Sequence, residues 1–423
     1  MPLLRRLALA LVPIALILLL AGVALQRADL WRPGAVALGV SLAIGIGAIP
    51  ALRGYQFTVW IITTVVAGMT YPTELLHWGD FDLRNKWVIL VAVQTVMFGM
   101  GTQMSIRDFT GVLRMPWGVG VAVFSQFTIM PLVGFGLTRI FHFPDEIAAG
   151  VILVGCCSSG LASNVMCYIA KANIALSITA TACTTMLAPL MTPLWMKLLA
   201  GTLIEVSFFT MMTDIVKIVI VPIGATLLHD YLKSAPPRAR TAIHAVAIAG
   251  GIWIAFLVGG GWGLLFSSLG PDLQTAIELA TFLIGAVTGG VLYHRLTIIQ
   301  PRLDQWMPVA SMVGIMYFTT VSTAAGRDNL LQVGALLFLV AAIHNAAGYG
   351  LGYGLGRIAG LDKNSARTIA IEVGLQNGGM ASGIAGGMGK LATLGLGAAV
   401  FGSWMNISGS ILANYWKRKP VRD

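Results

Sequence analysis

Apolar residues run along this chain in blocks of about 17–25, long enough to cross a bilayer as helix. Fourteen such blocks lie near residues 7–25, 34–52, 55–71, 87–104, 117–141, 147–170, 173–196, 206–228, 241–266, 273–294, 307–325, 330–356, 366–389 and 392–414. The pattern predicts an all-α polytopic membrane protein with both termini on one side. Basic residues test the orientation, because cytoplasmic loops carry the excess of Lys and Arg. With the N-terminus inside, inner segments hold 18 bases, from Arg5 and Arg6 to the tail Lys417, Arg418, Lys419 and Arg422. Outer segments hold 8, and Lys217 lies within a block. The expected location is multi-pass in the bacterial inner membrane, with cytoplasmic termini and the lipid bilayer as partner.

Composition agrees: 57% hydrophobic, 10% charged, mean hydropathy +0.82. The formal charge of +10 does not imply a nucleic-acid partner, since the bases sit in loops and at the ends, without interleaved aromatics. Arg5-Arg6 and the block after them resemble a signal peptide, but the block is long for one and another follows directly, so an uncleaved first helix is expected. Cys156, Cys157, Cys167 and Cys183 match no zinc or disulfide spacing and read as small core residues. Lys233-Ser-Ala-Pro-Pro-Arg-Ala-Arg240 reads as a linker. Leu76 to Arg84 reads as an interfacial loop.

Two blocks are interrupted by polar residues and glycines. One contains Gly155-Cys-Cys-Ser158-Ser159-Gly160-Leu161-Ala-Ser163-Asn164, the other Ile371-Glu372-Val-Gly-Leu-Gln376-Asn377-Gly-Gly. Non-helical backbone at membrane depth survives only where it lines a cavity or is buried in protein, and such paired breaks point to a transporter's binding site. Glu372 is costly there, roughly 2.5–3.5 kcal/mol on insertion scales, and reads as functional. Ser177 and Thr181 share a helix face, and Gln126 precedes Pro131. Taken singly, these residues read equally as helix-packing contacts. Together they offer neutral oxygens and one carboxylate, which suit a hard cation such as Na⁺. Asp214 is spaced to pair with Lys217, Glu278 lies near the start of its block, and His294 and His344 read as structural.

At these residues the chain resembles the bile acid:sodium symporter family. The motifs are the two interrupted stretches, Ala175-Leu-Ser177-Ile-Thr-Ala-Thr181, Gln126-Phe-Thr-Ile-Met-Pro131, Met97-Phe-Gly-Met-Gly101 and Ser403-Trp404-Met-Asn406-Ile-Ser-Gly409. The resemblance implies two inverted five-helix repeats with crossing discontinuous helices, plus two N-terminal and two inserted extra spans. It divides the chain into extra spans at 1–54, the first repeat plus the sixth family helix at 55–232, a linker with inserted spans at 233–306, the rest of the second repeat at 307–416, and a basic cytoplasmic tail at 417–423. It also implies two Na⁺ ions. One would use Ser163, Asn164, Ser177, Thr181 and Glu372. The other would use Gln126, Glu372, Gln376 and the carbonyls of Val373 and Leu375. Substrate would bind near Leu161, Asn377 and Asn406. The family often has Gly-Gly-Thr where this chain has Ser159-Gly160-Leu161, and His where it has Met405. Both changes spare the ion ligands but remove polar groups from the substrate side.

The expected function is Na⁺-coupled symport of an organic anion, a carboxylate or sulfonate, by alternating access; a homodimer is one assembly considered. Alternatives are proton coupling or metalloid export through Cys156 or Cys157, a non-transporting anion sensor, and an intramembrane enzyme. Cys157, Ser163 and His344 qualify as catalytic groups by type alone, so no enzyme is expected.

Overall fold

A computed structural model describes residues 2–50, 52–419 and 421; Arg422 of the basic tail lies outside them. Each expected block is built mainly of helix among the described residues. The helices are α1 (Pro2–Ala24), α2 (Ala28–Gly45), α3 (Gln56–Thr70), α4 (Lys86–Gly101), α5 (Pro116–Ile140), α6 (Asp145–Cys156), α7 (Ala162–Ala170) and α8 (Ile174–Ala200). They continue as α9 (Phe208–Ser234), α10 (Pro237–Leu265), α11 (Pro271–Ile299), α12 (Leu303–Ala325) and α13 (Arg327–Ile358). The last are α14 (Lys363–Gly374), α15 (Gly378–Gly387) and α16 (Leu394–Lys417). Thus α6 and α7 form one crossing and α14 and α15 another, each broken at its middle. The protein is an all-α polytopic membrane protein.

Local chemistry sets the ends. Pro116, Pro237 and Pro271 each open a helix, where a missing N–H costs nothing. Asn173 caps α8 through Leu176 N, and Asp362 caps α14 through the amides of Asn364 and Ser365. Because Pro237 starts α10 directly, the expected linker shrinks to Ala235 and Pro236. The interfacial loop carries a small hairpin, β1 (His77–Trp78) paired antiparallel with β2 (Phe81–Asp82). Its turn passes through Gly79 at φ +61°, where glycine avoids a Cβ clash.

Two bodies result. A panel joins α3, α4, α9 and α12, while α5–α8 and α13–α16 pack together as a core. The additional helices pack on the panel: α2 lies on α3 with α1 behind it, and α11 lies on α9 with α10 behind it. Buried polar residues hold this second junction together. His294 of α11 lies 3.3 Å from His229 of α9 through their Nδ1 atoms. Tyr293 donates to Asp304 of α12 at 2.8 Å. His294 thus serves the inserted junction, and His344, buried in the core, meets the carbonyl of Met130 at 2.9 Å. The four cysteines are free thiols, and Cys156, Cys157 and Cys167 are fully buried.

Candidate functional site

The two broken crossings meet at their breaks. Ser159 and Gln376 form an isolated antiparallel bridge. Gly160 N donates to Leu375 O at 3.0 Å, and Asn377 N donates to Ser158 O at 2.9 Å. Each unwound segment thereby satisfies the other's backbone, which no water could do at this depth. The approach requires glycine, since a Cβ on Gly160 would lie 2.7 Å from Gln376 O. Ser159, to which the sequence reading gave no role, fastens the crossing from the side. Its Oγ donates toward Glu372 O at 3.0 Å and Leu375 O at 3.3 Å. Asn345 does the same on the far side, donating to Gly374 O at 2.8 Å.

Around this crossing the structure assembles an oxygen cluster. Ser177 Oγ and Thr181 Oγ1 approach Glu372 Oε1 and Oε2 at 2.5 and 2.8 Å. Asn164 Oδ1 lies 2.7 Å from Ser177 Oγ and 3.3 Å from Thr181 Oγ1. Ser163 Oγ is 3.3 Å from Thr181 Oγ1. All of these residues except Asn164 are buried. The oxygens outnumber the hydrogens. Once the Ser177 and Thr181 hydroxyls serve the carboxylate, neither has a proton for Asn164 Oδ1. Neutral donors also leave the carboxylate's charge in place, and no Lys or Arg pairs with it among the described residues. A set of close oxygens around one negative charge, without thiolate or imidazole, has the donor chemistry for a hard monovalent cation. The five residues expected at the first sodium site therefore come together, from α7, α8 and α14.

The second set converges on the other face of the crossing. Gln376 Nε2 donates to Val373 O at 2.6 Å, and Gln126 Nε2 donates to Gln376 Oε1 at 2.7 Å and to Cys157 O at 2.9 Å. Leu375 O points at the Ser159 hydroxyl. The carboxylate of Glu372 makes its hydrogen bonds with Ser177 and Thr181 on the first side; none reaches Gln126 or Gln376. Asn377 caps α15 by accepting from Met380 N at 3.0 Å, and its Nδ2 lies 3.5 Å from Ser158 Oγ. Asn406 back-bonds to Gly402 O at 2.7 Å within α16. Leu161 is half-buried beside the N-terminus of α7. These three are not joined by hydrogen bonds.

Truncating one oxygen tests the cluster. Ser177→Ala should raise half-saturating sodium by about tenfold, the equivalent of about 1.4 kcal/mol, with the maximal uptake rate nearly kept. Sodium titrations of uptake at fixed substrate would read this.

The comparisons agree with this geometry. A model of the Sodium Bile acid symporter family matches residues 90–268. An Uncharacterized sodium-dependent transporter, YocS, of Bacillus subtilis (strain 168) is 33% identical over 375 residues, covering 88% of this chain and 94% of that relative. The chain belongs to the sodium bile acid symporter family. Another member, the Ileal sodium/bile acid cotransporter of Homo sapiens, is 29% identical over 296 residues, which is 69% of this chain and 66% of that protein. The structure of the sodium proton antiporter MjNhaP1 from Methanocaldococcus jannaschii superposes with a TM-score of 0.50 at 15% identity, over 93% of this chain and 99% of the antiporter. That likeness is one of fold. Membership makes the protein a sodium-dependent transporter rather than an enzyme.

A cavity of about 660 Å³ separates panel from core on the face away from the termini, bounded by α4, α9, α11 and α15. On the terminal face, residues 105–114 bridge the two bodies. Ser105 Oγ donates to Asp230 of α9 at 2.7 Å, and Thr179 of α8 donates to Asp108 O at 3.0 Å.

Proposed function

We propose that this family member couples sodium entry to uptake of an organic anion, a carboxylate or sulfonate, by alternating access. The observation that carries the reading is the buried Glu372 carboxylate, ringed by side-chain oxygens at a crossing of two broken helices. One sodium ion occupies the set of Ser163, Asn164, Ser177, Thr181 and Glu372. A second occupies the side of Gln126, Gln376 and the carbonyls of Val373 and Leu375, reached when the two amides turn their oxygens inward. Both sets share the α14–α15 break, so ion binding fixes the crossing before substrate arrives. Substrate binds beside Leu161, Asn377 and Asn406, where the half-helix N-termini of α7 and α15 favour negative charge.

The cavity between panel and core and the bridge across residues 105–114 fit an arrangement opened on one side. Rocking the core against the panel would close the first and break the second. With both termini cytoplasmic in a bacterial inner membrane, that opening faces outward. Two Na⁺ with a monoanion carry one net positive charge per cycle, so a potential of 100 mV contributes about 2.3 kcal/mol. Proteoliposomes should show inward current only when sodium and the anion are present together. Electroneutral uptake, or uptake indifferent to sodium, would overturn the reading.

A further inference from the structure

Six charged residues line the cavity, Lys86, Glu205, Asp214, Lys217, Glu278 and Lys390, and none belongs to either ion set. Lys217 sits nine residues past the start of α9, about 14 Å along its axis at 1.5 Å per residue. That is too deep for an unaided lysine, since a base in a membrane-spanning segment needs a partner or a water-filled cavity. Here α9 widens into a π-helical turn over Val216–Ile220, a distortion that often marks functional positions. Gln94 of α4 donates to the Lys217 carbonyl at 3.4 Å. The Lys217 side chain is 12% exposed and lines the cavity wall.

Its partner comes from α11, which packs on α9. Glu278 of α11 places Oε2 2.9 Å from Lys217 Nζ. Asp214, the local candidate three residues away, stands off at 3.8 Å. The ring of Phe282, also on α11, lies 5.8 Å from the ammonium. Glu278 is 45% exposed and lines the same cavity, so it can swing away from Lys217 into that space. Exchanging Glu278 for another carboxylate would keep the buried ammonium neutralised throughout.

The wall opposite is apolar and belongs to the broken crossing. Gly383 of α15 packs so tightly on α4 that a Cβ there would lie 2.2 Å from Val93 Cγ2, and Ile384 lines the cavity beside it. The cavity thus has a carboxylate-paired ammonium, Lys217, on the panel and an apolar face on α15. Six residues separate Gly383 from Asn377 at the break.

We infer that Lys217 receives the acid group of an amphipathic organic anion as it enters the cavity, before that group reaches the half-helix N-termini at the crossing, and that Glu278 is a built-in stand-in which the ligand displaces. The inserted helix pair thereby sets selectivity for the acid. This deepens the organic-anion reading and rests on it.

The test uses the full chain in detergent and two probes: cholate, an amphipathic carboxylate, and cholamide, its uncharged amide. Each is titrated by thermal shift with sodium and with choline. Wild type should prefer cholate in sodium. Glu278→Gln should bind cholate about tenfold more tightly, because the competitor is gone. Lys217→Gln should lose the preference for acid over amide while its half-saturating sodium stays within about twofold of wild type. Lys217→Arg keeps the charge and should keep the preference, which separates charge recognition from loss of folding. The inference is overturned if wild type shows no preference, if Lys217→Gln retains it, or if Glu278→Gln weakens cholate binding, since the pair would then only tie α11 to the panel. Failure of the coupled-transport reading looks different: the acid preference would persist equally in choline.

Discussion

Replacing Glu372 with glutamine should abolish sodium-driven uptake while leaving the protein folded. The change is nearly isosteric, so the packing of α14 against α5 and α13 is kept. What is lost is the negative charge on which Ser177 and Thr181 converge. Breaking a buried charge pair costs about 3–5 kcal/mol, which corresponds to about 10²–10⁴-fold in sodium affinity. Stability should show the complementary effect. Without sodium, the glutamine variant should melt at or above the wild-type temperature, because a desolvated carboxylate has been removed. With sodium, wild type should gain stability by mass action and the variant should not. Uptake into proteoliposomes, beside melting curves in sodium and choline, measures both. A variant that still accumulates substrate in a sodium-dependent way would remove Glu372 from the coupling mechanism.

Gly160→Ala should be nearly as damaging, for a steric reason. The added methyl would meet Gln376 O at 2.7 Å. That oxygen cannot retreat, since Gln376 is bridged to Ser159 and its neighbours bond to Ser158 and Gly160. Overpacking of this kind typically costs about 1–3 kcal/mol. Here the displaced atoms include the carbonyls and amides that shape both oxygen sets, so sodium-induced stabilisation should fall along with the melting temperature. Gly120→Ala is the control. A Cβ there meets nothing within 4 Å, and both stability and sodium response should match wild type. Equal behaviour of the two alanine variants would mean that the crossing tolerates displacement.

Much of this was legible in the sequence because a membrane makes polarity conspicuous. The helix blocks follow from length and hydropathy, and both breaks announced themselves as glycine and polar residues inside apolar runs. Glu372, Ser177, Thr181, Ser163 and Asn164 stood out for the same reason, and the structure brings them together. What stayed hidden depends on backbone. The bridge between Ser159 and Gln376 joins main-chain atoms more than 200 residues apart in sequence, which no side-chain pattern encodes. Ser159 stands within the interrupted motif, yet its grip on two carbonyls exists only once the crossing forms. Lys217 shows the bias of local reading. Its i,i+3 neighbour Asp214 looked like the natural partner, but tertiary packing sets Glu278 closer. At Lys233 to Arg240 the Pro-Pro pair reads as a break in sequence, whereas Pro237 starts the next helix.

The placement of the additional helices has a mechanical consequence. Among the described residues, all four pack on the panel, by way of α3, α9 and α12, rather than on the core. When two bodies embedded in a viscous film turn against each other, the one with the larger footprint turns less, because drag grows with in-plane size. These helices therefore act as an outrigger. In the proposed alternating-access cycle they would damp rotation of the panel and leave the turn to the slimmer body that carries the crossing.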